Sequence, residues 1–169
     1  DGLRSFVSDW KHNPLRSNVF DVEGVTVIVD YAHNTAAYAA IAETARGLSP
    51  GRLVGVVAAP GDRRDADLLD IGATCASGFD ELVVYESSSR GRSYGGAVDL
   101  ILQGAEEVVG KTDTLHRELE VGEAIRLGLS LCGRGDVLVF ACGSSLQVFV
   151  DAIRQVDPES AERIAAQAG

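Results

Sequence analysis

The chain contains no methionine, only three cysteines and four prolines, and its aromatic fraction is 6%. The cysteines, Cys75, Cys132 and Cys142, are odd in number and widely spaced, which excludes a disulfide framework and a C-x-x-C metal or redox pair. They read as small buried hydrophobes. Spaced H-x-x-x-H ligands are missing too, so no structural metal is implied. No apolar run approaches the roughly 18 residues that span a bilayer, and no signal-peptide pattern opens the chain. The expected setting is cytoplasmic, with no membrane partner. Positive charge is also short. Fifteen Lys and Arg stand against 25 Asp and Glu, a net charge of −10. Counterion release needs a cationic face, so non-specific nucleic-acid binding is excluded, and an anionic small ligand would need arginines gathered locally. The start at Asp1 and the lack of methionine suggest a piece of a longer protein. A homo-oligomer is left open.

Several catalytic signatures are absent as well. There is no G-x-x-x-x-G-K-[ST] phosphate loop, no G-x-G-x-x-G after the first long strand, and no G-x-S-x-G elbow. A complete P-loop enzyme, a dinucleotide-binding domain and a serine hydrolase are therefore unsupported. The chain looks like part of a site.

What is present is a regular alternation of apolar runs and helical segments over 169 residues, enough for one domain with a real core. Residues 1–18 read as a linker or lead-in, residues 19–157 as the α/β domain, and residues 158–169 as a C-terminal helix. A hairpin is expected from Val19–Val22, a Glu23-Gly24 turn and the long strand ending at Asp30. Further strands are expected at Leu53–Ala58, Leu82–Glu86, Thr114–Glu118 and Val137–Cys142. Helices are expected at Thr35–Arg46, Asp65–Ser77, Gly96–Val109, Val121–Cys132, Ser144–Gln155 and Pro158–Gln167. This spacing predicts right-handed βαβ units, hence a mostly parallel, Rossmann-like sheet with helices on both faces and an antiparallel N-terminal edge hairpin.

The stretch Val25-Thr26-Val27-Ile28-Val29-Asp30-Tyr31-Ala32-His33-Asn34 organises the rest. Five β-branched residues run into an acid, an aromatic, a histidine and an asparagine at a helix start. Ligands collect at the carboxyl ends of strands in open α/β sheets and at helix N-termini, so Asp30, His33 and Asn34 are candidate site residues. The alternative is that Asn34 only caps the helix while Asp30 and His33 satisfy loop amides. Arginine pairs follow the next two strands: Arg63 and Arg64 in Gly61-Asp62-Arg63-Arg64-Asp65, then Arg90 and Arg92 in Ser89-Arg90-Gly91-Arg92. Bidentate guanidinium forks on that rim suit phosphates and carboxylates. Their alternative is surface pairing with Asp62, Asp65, Asp67 and Glu86, which is worth little.

With these motifs in place, Asp30-Tyr31-Ala32-His33-Asn34 and the upstream Asn13-Pro14-Leu15-Arg16 resemble the opening of the C-terminal domain of the Mur ligase superfamily. Gly61-Asp62-Arg63-Arg64-Asp65 and Arg90-Gly91-Arg92 resemble the cyanophycin synthetase branch most closely. The similarity covers about residues 13–155. It implies an ATP-dependent carboxylate–amine ligase working through an acyl phosphate with ATP and Mg²⁺, whose central P-loop ATPase domain lies in the same longer chain. By the same resemblance, Arg16 would reach the α-phosphate and Asp30 the ribose, with Asn34 beside them on the nucleotide. His33 would lie near the transferring phosphate as the catalytic group, and Arg90 would grip the amino-acid carboxylate. Arg63, Arg64 and Arg92 are carried over as substrate-binding without individual roles. The branch implies arginine added to poly-aspartate side chains, and an isolated domain that does not turn over. Thr35, Leu15, Ser87–Ser89 and Gly96 depart from the usual proline, glycine, acids and glutamate. Cys142-Gly143-Ser144-Ser145 replaces the G-K-G-H-E of cell-wall ligases, which points away from a peptidoglycan substrate. The rivals are another Mur-type or folylpolyglutamate-type ligase domain and a stand-alone nucleotide- or anion-binding module.

Overall fold

A computed structural model describes Asn13 and residues 15–48, 51–110, 112–141 and 146–168. The β-branched run forms β2 (Val25–Asp30), paired antiparallel with β1 (Asn18–Val22). Glu23 and Gly24 between them both take positive φ, 51° and 85°, the backbone a two-residue hairpin needs to match strand twist. The remaining strands, β3 (Leu53–Val57), β4 (Glu81–Val84), β5 (Leu115–Arg117) and β6 (Val137–Ala141), join in parallel. The order is β1-β2-β6-β3-β4-β5.

Alternate side chains of the buried strands face two apolar layers, as the period of two requires. Ile28, Leu53, Val57, Val84 and Val139 point toward α1 (Thr35–Arg46), α2 (Asp65–Gly78) and α3 (Gly96–Val109). Val27, Val56, Val83, Leu138 and Phe140 point toward α4 (Val121–Ser130), α5 (Leu146–Val156) and α6 (Pro158–Ala168). Ala161 and Ile164 bury α6 in the second layer, so the C-terminal helix packs on this chain's own core. Between α2 and α3 the backbones nearly touch. A Cβ on Gly72 would collide with the Ile101 carbonyl, and one on Gly104 with the Leu69 carbonyl.

The elements follow the expected order with shorter strands. The fourth ends at Val84 and the fifth spans Leu115–Arg117, because the chain beyond them turns into the rim loops. Tyr85 and Glu86 still donate their amides to Val57 and Leu119. The α4 helix stops at Ser130, and its end is tied off by the Leu131 amide donating to Leu127 and Gly128 carbonyls. Cys75 is buried as expected, whereas Cys132 is only half-buried, because it follows the end of α4. Cys142 lies outside the described residues, as do Gly143-Ser144-Ser145. No helix among the described residues is long and apolar enough to cross a membrane.

The two rims of the sheet differ in chemistry. At the amino-terminal rim, carboxylates cap strand amides. Asp136 accepts from Gly133 and Arg52 amides, both at 2.8 Å. Asp80 accepts from the Leu53 amide at 2.7 Å and from the Arg46 guanidinium at 2.8 Å. The carboxyl-terminal rim carries the motif arginines Arg63, Arg64, Arg90 and Arg92. Because β6 inserts between β2 and β3 while its helix lies on the opposite face, the loops after β2 and β3 flank the crevice where such sheets bind ligands.

Candidate functional site

His33, Asn34 and Thr35, at the start of α1, face Arg63, Arg64, Asp67, Asp70 and Ile71, from the start of α2, across a cavity of about 310 Å³. Two helix N-termini thus converge on one space, each adding partial positive charge. The sequence motifs after the first and second parallel strands are brought together here.

The His33 ring is oriented by its own loop. Nδ1 lies 2.9 Å from the Tyr31 carbonyl. A carbonyl only accepts, so Nδ1 carries the proton, and Nε2 has no protein partner among the described residues. The Tyr31 ring stands edge-on to the imidazole with centroids 5.2 Å apart. Asn34 is the N-cap of α1, its side-chain oxygen accepting from the Ala37 amide at 2.9 Å. It therefore lines the cavity with that oxygen already engaged.

The four rim arginines divide. Arg64 is spent on Asp67, donating from Nη2 at 2.6 Å and Nε at 2.9 Å. The hydrogen bond with Arg64 holds the Asp67 carboxyl below its usual range and raises the guanidinium in turn. Arg90, at a left-handed φ of 42°, pairs with Asp62 at 3.2 Å. Arg92 is largely buried and serves the neighbouring loop. It donates to the Gly61 carbonyl at 3.0 Å and the Arg63 carbonyl at 2.9 Å, and pairs with Asp65 at 2.8 Å. Surface pairing with Asp62, Asp65 and Asp67, the alternative weighed from sequence, thus accounts for three guanidinia. Arg63 is the exception: it lines the cavity, and its guanidinium has no hydrogen-bond or ion-pair partner among the described residues.

The lead-in joins the same rim. Ser17 donates its amide and hydroxyl to Asp30 at 2.9 and 3.0 Å. Arg16 lies over the Tyr31 ring, 5.6 Å from its centroid. Leu15 and Ser17 both take positive φ, at 58° and 50°, so this short segment is held in a strained shape by those contacts. Arg16, Tyr31 and His33 form a continuous line from the lead-in to the cavity.

Sequence reasoning overlooked several residues. Asp70 puts a carboxylate without an ion-pair partner among the described residues on the cavity wall one helical turn beyond Asp67. Its i, i+3 spacing from Asp67 on α2 was the available signal. Tyr31 was treated as part of a motif and turns out to be an exposed ring linking Arg16 to His33. At the β4 end, Glu86 Oε2 accepts from the Gly95 amide at 3.0 Å, while its Oε1 and the Ser87 hydroxyl are buried without hydrogen-bond partners among the described residues. Among the described residues no group of three His, Cys, Asp or Glu side chains could hold a metal ion.

Comparison with known proteins identifies the family and the fold. The family model described as "Mur ligase, glutamate ligase domain" matches residues 15–144. The cyanophycin synthetase of Nostoc sp. is 37% identical over 140 residues, covering 82% of this chain and 15% of that protein. This chain therefore spans well under a fifth of that relative's length. A solved UDP-N-acetylmuramoyl-L-alanyl-D-glutamate–2,6-diaminopimelate ligase superposes with a TM-score of 0.68 at 17% identity, covering 83% of this chain and 31% of that one. Mycobacterium tuberculosis folylpolyglutamate synthase, solved with ADP and AMPPCP, gives 0.61 at 24% identity, covering 92% and 33%.

Proposed function

The chain belongs to the Mur ligase family, as its glutamate ligase domain, and on that premise we propose that it closes the ATP site of a cyanophycin-synthetase-like carboxylate–amine ligase. The observation that carries the reading is the cavity between the two helix starts, where His33 Nε2 and the Arg63 guanidinium are both without partners among the described residues. A phosphate or acyl phosphate has the charge and the acceptor oxygens that such a pair accommodates.

In the proposed reaction a substrate carboxylate oxygen attacks the γ-phosphorus of ATP, and ADP leaves. The amine nitrogen then attacks the acyl carbon, loses a proton and expels phosphate through a tetrahedral intermediate. Catalysis of this kind is mostly positioning and charge stabilisation. Arg63 neutralises the phosphoryl oxygens. His33, fixed by the Tyr31 carbonyl, donates to a phosphate oxygen when protonated and takes the amine's proton when neutral. Arg16 reaches toward the α-phosphate, Asp30 toward the ribose after release from Ser17, and Asn34 keeps the helix start in place beside the nucleotide. Arg90 and Arg64 exchange their aspartate partners for substrate carboxylates. Mg²⁺ neutralises the phosphates in such reactions. The described residues do not supply a cage for it, so its ligands would be the phosphates and groups on the P-loop domain. Because this chain supplies no phosphate loop, it does not turn over alone.

Arginine as the incoming amine, with poly-aspartate as acceptor, is supported by the similarity to cyanophycin synthetase and by the Asp70 carboxylate on the cavity wall, a charge complement for a guanidinium. In the full polypeptide its gene encodes, Arg63→Ala and His33→Ala should each lower ligase turnover by about 10²-fold or more with the fold unchanged. Unaltered turnover in both would remove the site from the mechanism. A ligase adding glutamate is the competing reading, and turnover with glutamate but not arginine would establish it.

A further inference from the structure

The two arginine loops of the rim are one mechanical unit. The Gly61 amide donates to the Ser88 carbonyl at 2.8 Å, and a Cβ on Gly61 would collide with the Ser89 carbonyl, so the loop after β3 lies directly against the loop after β4. The Arg92 amide donates to the Ser89 carbonyl at 2.9 Å, which turns its side chain back across the junction. Its guanidinium then grips three points of the first loop, Gly61, Arg63 and Asp65, at 3.0, 2.9 and 2.8 Å. Gly61 and Asp65 bracket Arg63, and the Arg63 carbonyl itself is one of the anchors. The Arg63 guanidinium, unpaired among the described residues, thus projects from a backbone fixed on both sides and at its own residue.

We infer that Arg92 is a positioning residue for anion binding, a buckle that fixes the backbone of Arg63 so that its guanidinium stands at the cavity beside His33. The inference rests on the anion-site reading of that cavity. It gives Arg92 no contact with substrate, in place of the substrate-binding assignment that the family resemblance implied. A planar fork with several donors can satisfy two carbonyls and a carboxylate together, and a lysine ammonium on a flexible stem cannot hold that geometry. Charge alone does not do this work.

The test is titration of the 169-residue chain with inorganic phosphate, followed through the His33 imidazole proton resonances, which are readily assigned among three histidines. Arg92→Lys keeps the charge and the exposed surface, and Arg92→Ala is its harsher companion. Each should weaken phosphate affinity by roughly tenfold, the size of one lost charge-assisted hydrogen bond. In an Arg63→Ala background neither should weaken it further, because two residues acting through one contact are not additive. A merely structural Arg92 would lower thermal stability equally in both backgrounds and leave no such dependence. Wild-type affinity in Arg92→Lys, or a full additional loss in the Arg63→Ala background, overturns the inference. Absence of any phosphate-dependent shift in the unmutated chain overturns the anion-site reading itself, and the inference with it.

Discussion

Single side chains on this scaffold fall into those that hold the frame and those left free at the rim. Tyr38 belongs to the first kind. Completely buried under the sheet, it donates to the Ala58 carbonyl at 2.6 Å and accepts from the Ala58 amide at 3.1 Å, at the point where β3 enters the site loop. Tyr38→Phe leaves both backbone groups buried and unpaired, and should cost about 1–3 kcal/mol. Denaturant unfolding checks this, and an unchanged midpoint would mean that the hydroxyl does not carry Ala58. Arg63 belongs to the second kind, which is why its replacement should spare stability while lowering phosphate affinity. Asp30, His33 and the arginines could be placed on one rim from sequence, because the position of each after a strand decides which end of the sheet it reaches. Which arginine stays free could not be read that way. Arg63 and Arg64 are adjacent and chemically identical. Only the three-dimensional placement of Asp67 beside Arg64, and of Asp62 and Asp65 beside Arg90 and Arg92, separates them.

At the scale of elements, the strand–helix alternation was readable throughout, and the edges were not. Glu86 was expected inside a strand and instead turns into the rim loop, since its pairing is decided by the neighbouring Leu119 rather than by its own propensity. The α2–α3 contact was also hidden, because glycine in a helix signals nothing by itself. Gly72 and Gly104 allow the helices to approach until backbone meets backbone. Gly72→Ala should therefore destabilise by about 1–3 kcal/mol or more, against the gain that alanine brings to an exposed helix. Thermal unfolding of Gly72→Ala beside a control helix glycine with room for a Cβ, such as Gly122→Ala, decides the sign. The amino-terminal rim carries a pH dependence. The Gly133 amide holds the Asp136 carboxyl below the ordinary range against the opposing effect of burial, with the Arg52 amide and guanidinium adding to it. A depressed carboxylate contributes stability above its unfolded value of about 4, and that contribution is lost as pH falls through the lower folded value. Stability should thus decline below about pH 4, and Asp136→Asn should flatten that decline while lowering stability at pH 7. Urea midpoints at the two pH values measure both effects. An Asn variant with the wild-type acid slope would assign the decline to other carboxylates.

For the molecule as a whole, charge is distributed by function. A chain of net charge −10 keeps a free guanidinium and an oriented imidazole at the carboxyl ends of its strands, and uses carboxylates at the other end to tie strand amides. The family was readable in the sequence because motifs in the right order are set by loops at successive strand ends of one fold. The amine was not, because its recognition depends on which carboxylates face the cavity. Asp70 reaches that wall through helical geometry rather than through any motif. The most direct measurement is ATP-dependent ligation by the full polypeptide its gene encodes, with poly-aspartate as acceptor and arginine, lysine or glutamate offered in turn. ADP release and product formation that require arginine, and that are lost in Arg63→Ala, are the predicted result. Turnover supported by glutamate alone, or arginine-dependent turnover unchanged in Arg63→Ala, would contradict the account.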